Sequence, residues 1–300
     1  MIRRSFGGLE KNSGAREPGR WIRAGAVIAG ALATLMFASL ASAAVNPPLM
    51  FAGDFENGVY NATLLKVSGN APIVTKDFSR RGSYAAKSVL NRATSPRSYR
   101  TEFSLSEPPT QMGGEYWYGF SIYLPSDYVA DNIYEILAQW HGVPDSTAED
   151  TLNPPVSLHS EKGVWMVSTI WDSRKITERA TYEGSRRYQL GEYKRGAWTD
   201  WVFHMKWSPK SDGLIQIWQN GKKVVDTAGP IGFNDPRGPY FKFGIYKGWR
   251  DRTTPVGVVG ARTLYHDEVR VASGAGRYAD VAPGGAGKRP VAPLAVRTQP

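Results

Sequence analysis

Beyond Leu40 no long stretch of this chain repeats its apolar residues with the 3.6-residue period of an amphipathic helix. Short runs that alternate aromatic or branched residues with polar ones stand there instead. They fall at Glu115–Leu124, Tyr134–His141, Val164–Trp171, Trp198–Trp207, Gly213–Gln219, Lys222–Asp226, Tyr240–Tyr246 and Arg262–Ala272. Successive side chains of a strand point to opposite faces, so each run predicts a strand with one face in a core. Asn220-Gly221 predicts a tight hairpin, because a type I′ turn needs positive φ at both central residues. Many strands at short spacing, joined by Gly- and Pro-rich loops, predict an all-β fold, a two-sheet sandwich or β-jelly roll.

The first 43 residues read as a targeting segment. Arg16, Arg20 and Arg23 precede an apolar run from Ala24 to Leu40, followed by Ala41-Ser42-Ala43, a small-x-small cleavage pattern. The run is short and rich in Gly and Ala for a span of a ~30 Å bilayer, so a signal peptide at 1–43 is expected rather than a stable membrane anchor. Residues 44–275 then form one large domain. The Gly/Pro/Ala-rich residues 276–300 have no periodicity and are expected to be a disordered tail.

The absence of cysteine excludes a disulfide framework and any thiolate metal site. With the signal peptide, this points to a periplasmic or secreted bacterial protein, expected as a monomer. The formal charge is +10, and six Lys/Arg against two Glu in the first 43 residues leave +6 for the rest. A basic exported chain attracts polyanions. No helix-turn-helix, zinc-finger or RNP-type signature is present, so an anionic polysaccharide is the expected partner and nucleic acid is not.

Three distant segments carry the chemistry: Tyr99-Arg100-Thr101-Glu102-Phe103, Gln139-Trp140-His141 and Tyr240-Phe241-Lys242-Phe243-Gly244-Ile245-Tyr246-Lys247. Alternation puts Arg100 with Glu102, Gln139 with His141, and Tyr240 with Lys242 and Tyr246 on polar faces. Phe103, Trp140, Phe241, Phe243 and Ile245 are left for the core. Brought to one groove, the polar faces suit an acidic sugar whose carboxylate must be neutralised while the neighbouring carbon loses a proton. Gln139 and Arg100 would neutralise, His141 and Tyr246 would supply base and acid, and Lys242 would steady the charge. The scheme requires no cofactor.

These elements resemble the jelly-roll polysaccharide lyases, a group with alginate lyases, glucuronan lyases and heparin lyase I. The alginate lyases carry Arg-Ser/Thr-Glu-Leu, Gln-Ile/Val-His and Tyr-Phe-Lys-x-Gly-x-Tyr elements. Here they read Arg100-Thr101-Glu102-Phe103, Gln139-Trp140-His141 and Tyr240 through Tyr246, in the same order. Lys242 and Tyr246 also meet the Lys-x-x-x-Tyr spacing of the glucuronan and heparin lyases. Ser104 and Trp140 depart from the alginate-lyase pattern. Asp54-Phe55-Glu56-Asn57-Gly58 and His266-Asp267-Glu268-Val269 look closer to the glucuronan and heparin lyase I group. The resemblance runs from about Phe51 to Val271. It implies a concanavalin-like sandwich with a concave substrate groove and β-elimination from a 1,4-linked polyuronate, glucuronan-like first, heparin or alginate as alternatives. In glucuronate and mannuronate the C5 hydrogen and O4 share a side, so Tyr246 would be base and then acid. In guluronate or iduronate His141 would be base and Tyr246 acid.

Glu102, Tyr240, Lys247, Arg250 and His204 are the expected substrate-binding residues, and Arg237 and Arg252 lie near the same element. Segments 143–155 and Ile176–Tyr193 read as loops able to overhang the groove. Asp54, Glu56 and Asp267 are oxygen donors near the two ends of the domain and are candidates for a structural Ca²⁺. His159 and His266 read as structural. A carbohydrate-binding sandwich without activity is the competing class. A glycoside hydrolase ranks lower, because no strand carries the paired carboxylates it would need.

Overall fold

The computed structural model describes residues 49–285 apart from 94–98, 106, 108, 146–148, 150–151, 179–180 and 249–256. The expected signal peptide, Arg250 and Arg252 lie outside the described residues. In chain order the strands begin with β1 (Leu49–Gly53), β2 (Leu65–Gly69), β3 (Ile73–Thr75), β4 (Ala85–Asn91) and β5 (Arg100–Leu105). The central ones are β6 (Glu115–Leu124), β7 (Glu135–His141), β8 (Val156–Glu161), β9 (Val164–Asp172), β10 (Gly184–Glu192) and β11 (Ala197–Lys206). The last are β12 (Leu214–Gln219), β13 (Lys222–Ala228), β14 (Gly232–Phe233), β15 (Tyr240–Lys247) and β16 (Ala261–Ser273), before a helical turn α1 (Tyr278–Val281).

They form two sheets. The first runs β13-β12-β11-β6-β16-β4-β3 with β1 also on β16; the second runs β10-β9-β8-β7-β15-β5-β2 with β14 on β9. Every pairing is antiparallel except β14 with β9. The predicted all-β two-sheet sandwich is the fold observed. The expected hairpin joins β12 to β13, with φ of +50° at Asn220 and +80° at Gly221.

Alternation builds the core from both inner faces. Trp201, Phe203, Met205 and Trp207, predicted as core, are fully buried. Across the sandwich, Trp140 meets Phe203 at 4.7 Å between ring centroids, and Phe241 meets Tyr118 and Phe120 at 5.4 and 5.6 Å. Each buried aromatic removes ~150–250 Å² from water, so this seam of rings holds the sheets together. It also turns the intervening residues of β5, β7 and β15 outward.

Two expectations are corrected. Residues 176–193 are not all loop: Gly184–Glu192 is the edge strand β10 of the second sheet. The expected tail is not structureless from 276, because Val281 of α1 is buried against Val202 and Ala272, beside Trp117, Trp218 and Tyr278. Residues 286–300 lie outside the described set.

Gly244 fixes the strand at the centre of the second sheet. Its φ is +139°, and a Cβ there would stand 2.2 Å from the Thr101 carbonyl oxygen and 2.7 Å from Glu102 Cα, atoms of the backbone that cannot move aside. Gly244→Ala is therefore expected to destabilise the fold by about 1–3 kcal/mol or more, read as a lower midpoint in denaturant titration. An unchanged midpoint would contradict the tight approach of β15 to β5.

Candidate active site

The outer face of the second sheet carries the polar faces of β5, β7 and β15 side by side. The β15–β5 register sets Lys242 opposite Ser104, Gly244 opposite Glu102 and Tyr246 opposite Arg100. The β15–β7 register sets Tyr240 opposite His141 and Lys242 opposite Gln139. Facing residues of an antiparallel pair share a face. The seven outward residues of the three motifs therefore lie on one surface, as alternation predicts. One cross-strand row continues through Arg187, Ser168, Ser157, Gln139, Lys242, Ser104 and Lys66, over seven adjacent strands.

At its centre Glu102 of β5 is 1% exposed and binds the adjacent strand β15 and, beyond it, β7. Lys242 Nζ donates to Glu102 Oε2 at 2.8 Å, and Gln139 Nε2 donates to Glu102 Oε1 at 2.5 Å. Arg100 Nη1 lies 3.9 Å from Glu102 Oε2, and its guanidinium stacks over the Tyr246 ring at 4.7 Å. Glu102, expected to touch substrate, is thus turned to the cations and the amide around it.

His141 and Tyr240 form the open end of this cluster, their ring centroids 5.3 Å apart. His141 Nδ1 donates to the Gly142 carbonyl at 2.9 Å, the tautomer that leaves the Nε2 lone pair available. Burial pushes the His141 pKa down, and the charges of Lys242 and Arg100 add to this against the Gly142 carbonyl, so the ring is neutral near pH 7. Burial pushes Tyr240 up from 10.0, with the Glu102 charge adding and Arg100 opposing, so the phenol keeps its proton. Burial also lowers Lys242, opposed by Glu102.

Tyr246 is on this face but not beside His141. It stands opposite Ile136 while His141 stands opposite Tyr240, six residues and on the order of 20 Å along one strand. The expected His141–Tyr246 pair is therefore not brought together, and Tyr240 occupies that place. Lys247 is corrected outright. It follows Tyr246, so it points inward, where it is fully buried and its Nζ binds Asp131 at 2.8 Å and Glu135 at 2.5 Å. Arg262 and Tyr128 bind the same Glu135. His204 is corrected too: its face is outward, but on the first sheet. There it stacks on Trp117 at 3.8 Å between Gln216 and Glu115, across the sandwich from the groove.

His266 is buried and bonds the Leu137 carbonyl, its pKa pushed down to about 3 by burial, which fits the structural role expected. His159 was missed as a groove residue. It faces outward beside Ile136 and shares a recess with Tyr134, Ser157, Glu161, Ser168 and Arg187. Its parity with Ser157 on β8 was the available signal.

Asp54, Glu56 and Asp267 do not converge as a three-carboxylate group. Glu56 accepts from Ser83 and Tyr84, and Asp267 Oδ2 accepts from the Arg80 and Arg81 backbone, so both shape the 80–84 turn. Among the described residues one trio of metal-ligand type does converge: Asp145, Glu149 and Asp235. There burial, with the charges of Glu149 and Asp145, pushes the Asp235 carboxyl up to about 7.

A polysaccharide lyase family model matches residues 56–270. The chain belongs to that family: it is a polysaccharide lyase, and its substrate is a polysaccharide. Among solved structures it is similar to the endo-β-1,4-glucuronan lyase of the fungus Trichoderma reesei, with 22% identity and a TM-score of 0.67 over 79% of this chain and all of that one. It is also similar to alginate lyase A1-II′ of polysaccharide lyase family 7, with 18% identity and a TM-score of 0.44 over 66% of this chain and 84% of that one. No curated protein matches. The likeness to the glucuronan lyase agrees with the jelly-roll fold. Among the described residues no helix is long and apolar enough to cross a membrane.

Removing one partner of the buried Lys242–Glu102 pair leaves the other charge without compensation. Lys242→Met is expected to cost about 3–5 kcal/mol in denaturant unfolding, and Lys242→Met with Glu102→Leu to regain most of it. A single variant as stable as the wild type would show the pair to be solvated.

Proposed function

We propose that this lyase cuts a 1,4-linked polyuronate, glucuronan first, by β-elimination between His141 and Tyr240. The observation that carries the reading is an imidazole and a phenol with ring centroids 5.3 Å apart, beside a buried Glu102–Lys242–Gln139 cluster and a partly exposed Arg100. The C5 hydrogen is weakly acidic until the adjacent carboxylate is neutralised, and Arg100 is the cation with access to it. Lys242 and Gln139 act from beneath, holding Glu102 so that its charge does not repel the substrate.

In the step, His141 Nε2 takes the C5 proton. The C5–H electron pair becomes the C4–C5 double bond, the C4–O4 bond breaks, and the Tyr240 hydroxyl gives its proton to O4. Proton return from imidazolium to phenolate, directly or through water, restores the site. Both groups approach the sugar from one sheet face. This favours a substrate whose C5 hydrogen and O4 share a side, as in glucuronate and mannuronate. Tyr246 orients Arg100 by stacking. The basic and apolar pattern of residues 1–43 supports action in the periplasm or medium.

Incubation with glucuronan, alginate and heparin is expected to give an ultraviolet-absorbing unsaturated product, fastest with glucuronan. His141→Ala and Tyr240→Phe should each lower kcat by about 10²–10⁴-fold. Tyr246→Phe should act mainly on KM. A Tyr246→Phe enzyme without turnover beside an active Tyr240→Phe enzyme would reverse the assignment of the acid.

The rate should depend on pH as a bell. His141 must be neutral to accept, so activity rises with pH through a midpoint below 6.5. Tyr240 must be protonated to donate, so activity falls only above 10.0. An acid limb centred above pH 7 would remove His141 as the base.

A further inference from the structure

We propose that Asp145, Glu149 and Asp235 bind a divalent cation of the hard, oxygen-preferring class, calcium best, which clips together the chain segments at the His141–Tyr240 end of the groove. The site is separate from the terminal acidic residues considered above, and the inference holds whatever polymer is cut.

One oxygen of each carboxylate lies within 4.8 Å of the other two. Oxygens on opposite sides of a calcium ion, each at 2.3–2.6 Å from it, stand about 5 Å apart, so the trio spans one coordination sphere. Glu149 is held in place, its Oε1 accepting from the Thr177 N–H at 2.7 Å and its Oε2 from Asp145 N–H at 3.2 Å. Asp235 points to a missing ligand. It is only 5% exposed, and its Oδ1 is buried with no hydrogen-bond partner. A buried carboxylate oxygen without a donor is costly, and a bound cation would satisfy it.

No Lys, Arg or His among the described residues forms an ion pair with any of the three. Elsewhere in the same protein the buried acids Glu102, Asp131 and Glu135 all have a lysine. Three carboxylates and no nitrogen or sulfur donor select an alkaline-earth ion over zinc or copper. Calcium, which accepts irregular geometry and completes its six to eight oxygens with water, suits them better than octahedral magnesium.

The position gives the ion its effect. Asp145 is four residues beyond His141 on the exit from β7, and Asp235 is five before Tyr240 on the entry to β15. Glu149 ties in Thr177 from a third segment. A cation here would fix the ends of the two strands that carry the facing rings.

The test uses the whole chain, stripped with chelator and titrated with CaCl2 in a calorimeter, with thermal unfolding in parallel. One equivalent should bind, and calcium at about 100 times its Kd should raise the melting temperature by about 5 °C or more. Magnesium should bind at least tenfold more weakly. Asp235→Asn and Glu149→Gln should each abolish the shift. So should Asp145→Asn, an exposed position whose substitution leaves the fold intact. Glu56→Gln should keep it. Absence of both heat and shift up to about 10 mM calcium would overturn the proposal, as would a wild-type shift in Asp145→Asn and Glu149→Gln.

Discussion

The contact between Glu102 and its two neighbours, Lys242 and Gln139, organises the groove because it spans three strands that are distant in the chain. An ionised carboxylate buried to 1% exposure is tolerable only if its oxygens are filled, and here one takes an ammonium and the other an amide. The bonds fix the lateral positions of β5, β15 and β7 from above the sheet, while the aromatic seam fixes them from below. Gly244, opposite Glu102 with φ +139°, is what allows the two backbones to come close enough. Specificity of arrangement follows from polar satisfaction, and adhesion of the sheets follows from apolar burial.

The same cluster bears on the electrostatics of His141 and Tyr240, the proposed reacting groups. Lys242 and Arg100 both disfavour a second positive charge on His141, which together with burial keeps the imidazole neutral. Glu102 acts the other way on Tyr240, discouraging the phenolate. Burial first, and these charges second, therefore favour a neutral imidazole and a protonated phenol at the same pH. This is the arrangement that the proposed proton transfers need.

The residues that share a face were legible in the sequence; the residues that stand opposite one another were not. Alternation assigned Arg100, Glu102, Gln139, His141, Tyr240, Lys242 and Tyr246 correctly, because parity is local. The third motif has a tyrosine at each end, and parity makes Tyr240 and Tyr246 equivalent. Only the register between β15 and β7 distinguishes them, and register depends on contacts about 100 residues apart in sequence. Lys247 went wrong by parity itself: its charge suggested solvent, yet its position faces inward, and Asp131, Glu135 and Arg262 wait there to receive it. His204 has the right parity on the wrong sheet, which alternation cannot report. The edge strand β10 carries little apolar residue on either face, so its pattern resembles a loop.

Placing the two proposed reacting groups at strand ends rather than mid-strand has a mechanical consequence. His141 closes β7 and Tyr240 opens β15, so the ladder between these strands ends at the two rings, and the chain before Tyr240 is held instead by Gly238 and Pro239 against Thr110. The Glu102 cluster lies two residues inward and cannot fix those ends. Rotation of either ring would change the distance between base and acid, on which proton-transfer rates depend steeply. A structure that relies on this pair must restrain the segments leaving both strands. The acidic residues at 145 and 235 lie close together on those two segments, and the repulsion between their charges works against this closeness unless it is neutralised. In the proposed mechanism, geometry at the two rings is thus coupled to whatever neutralises the carboxylates just beyond them.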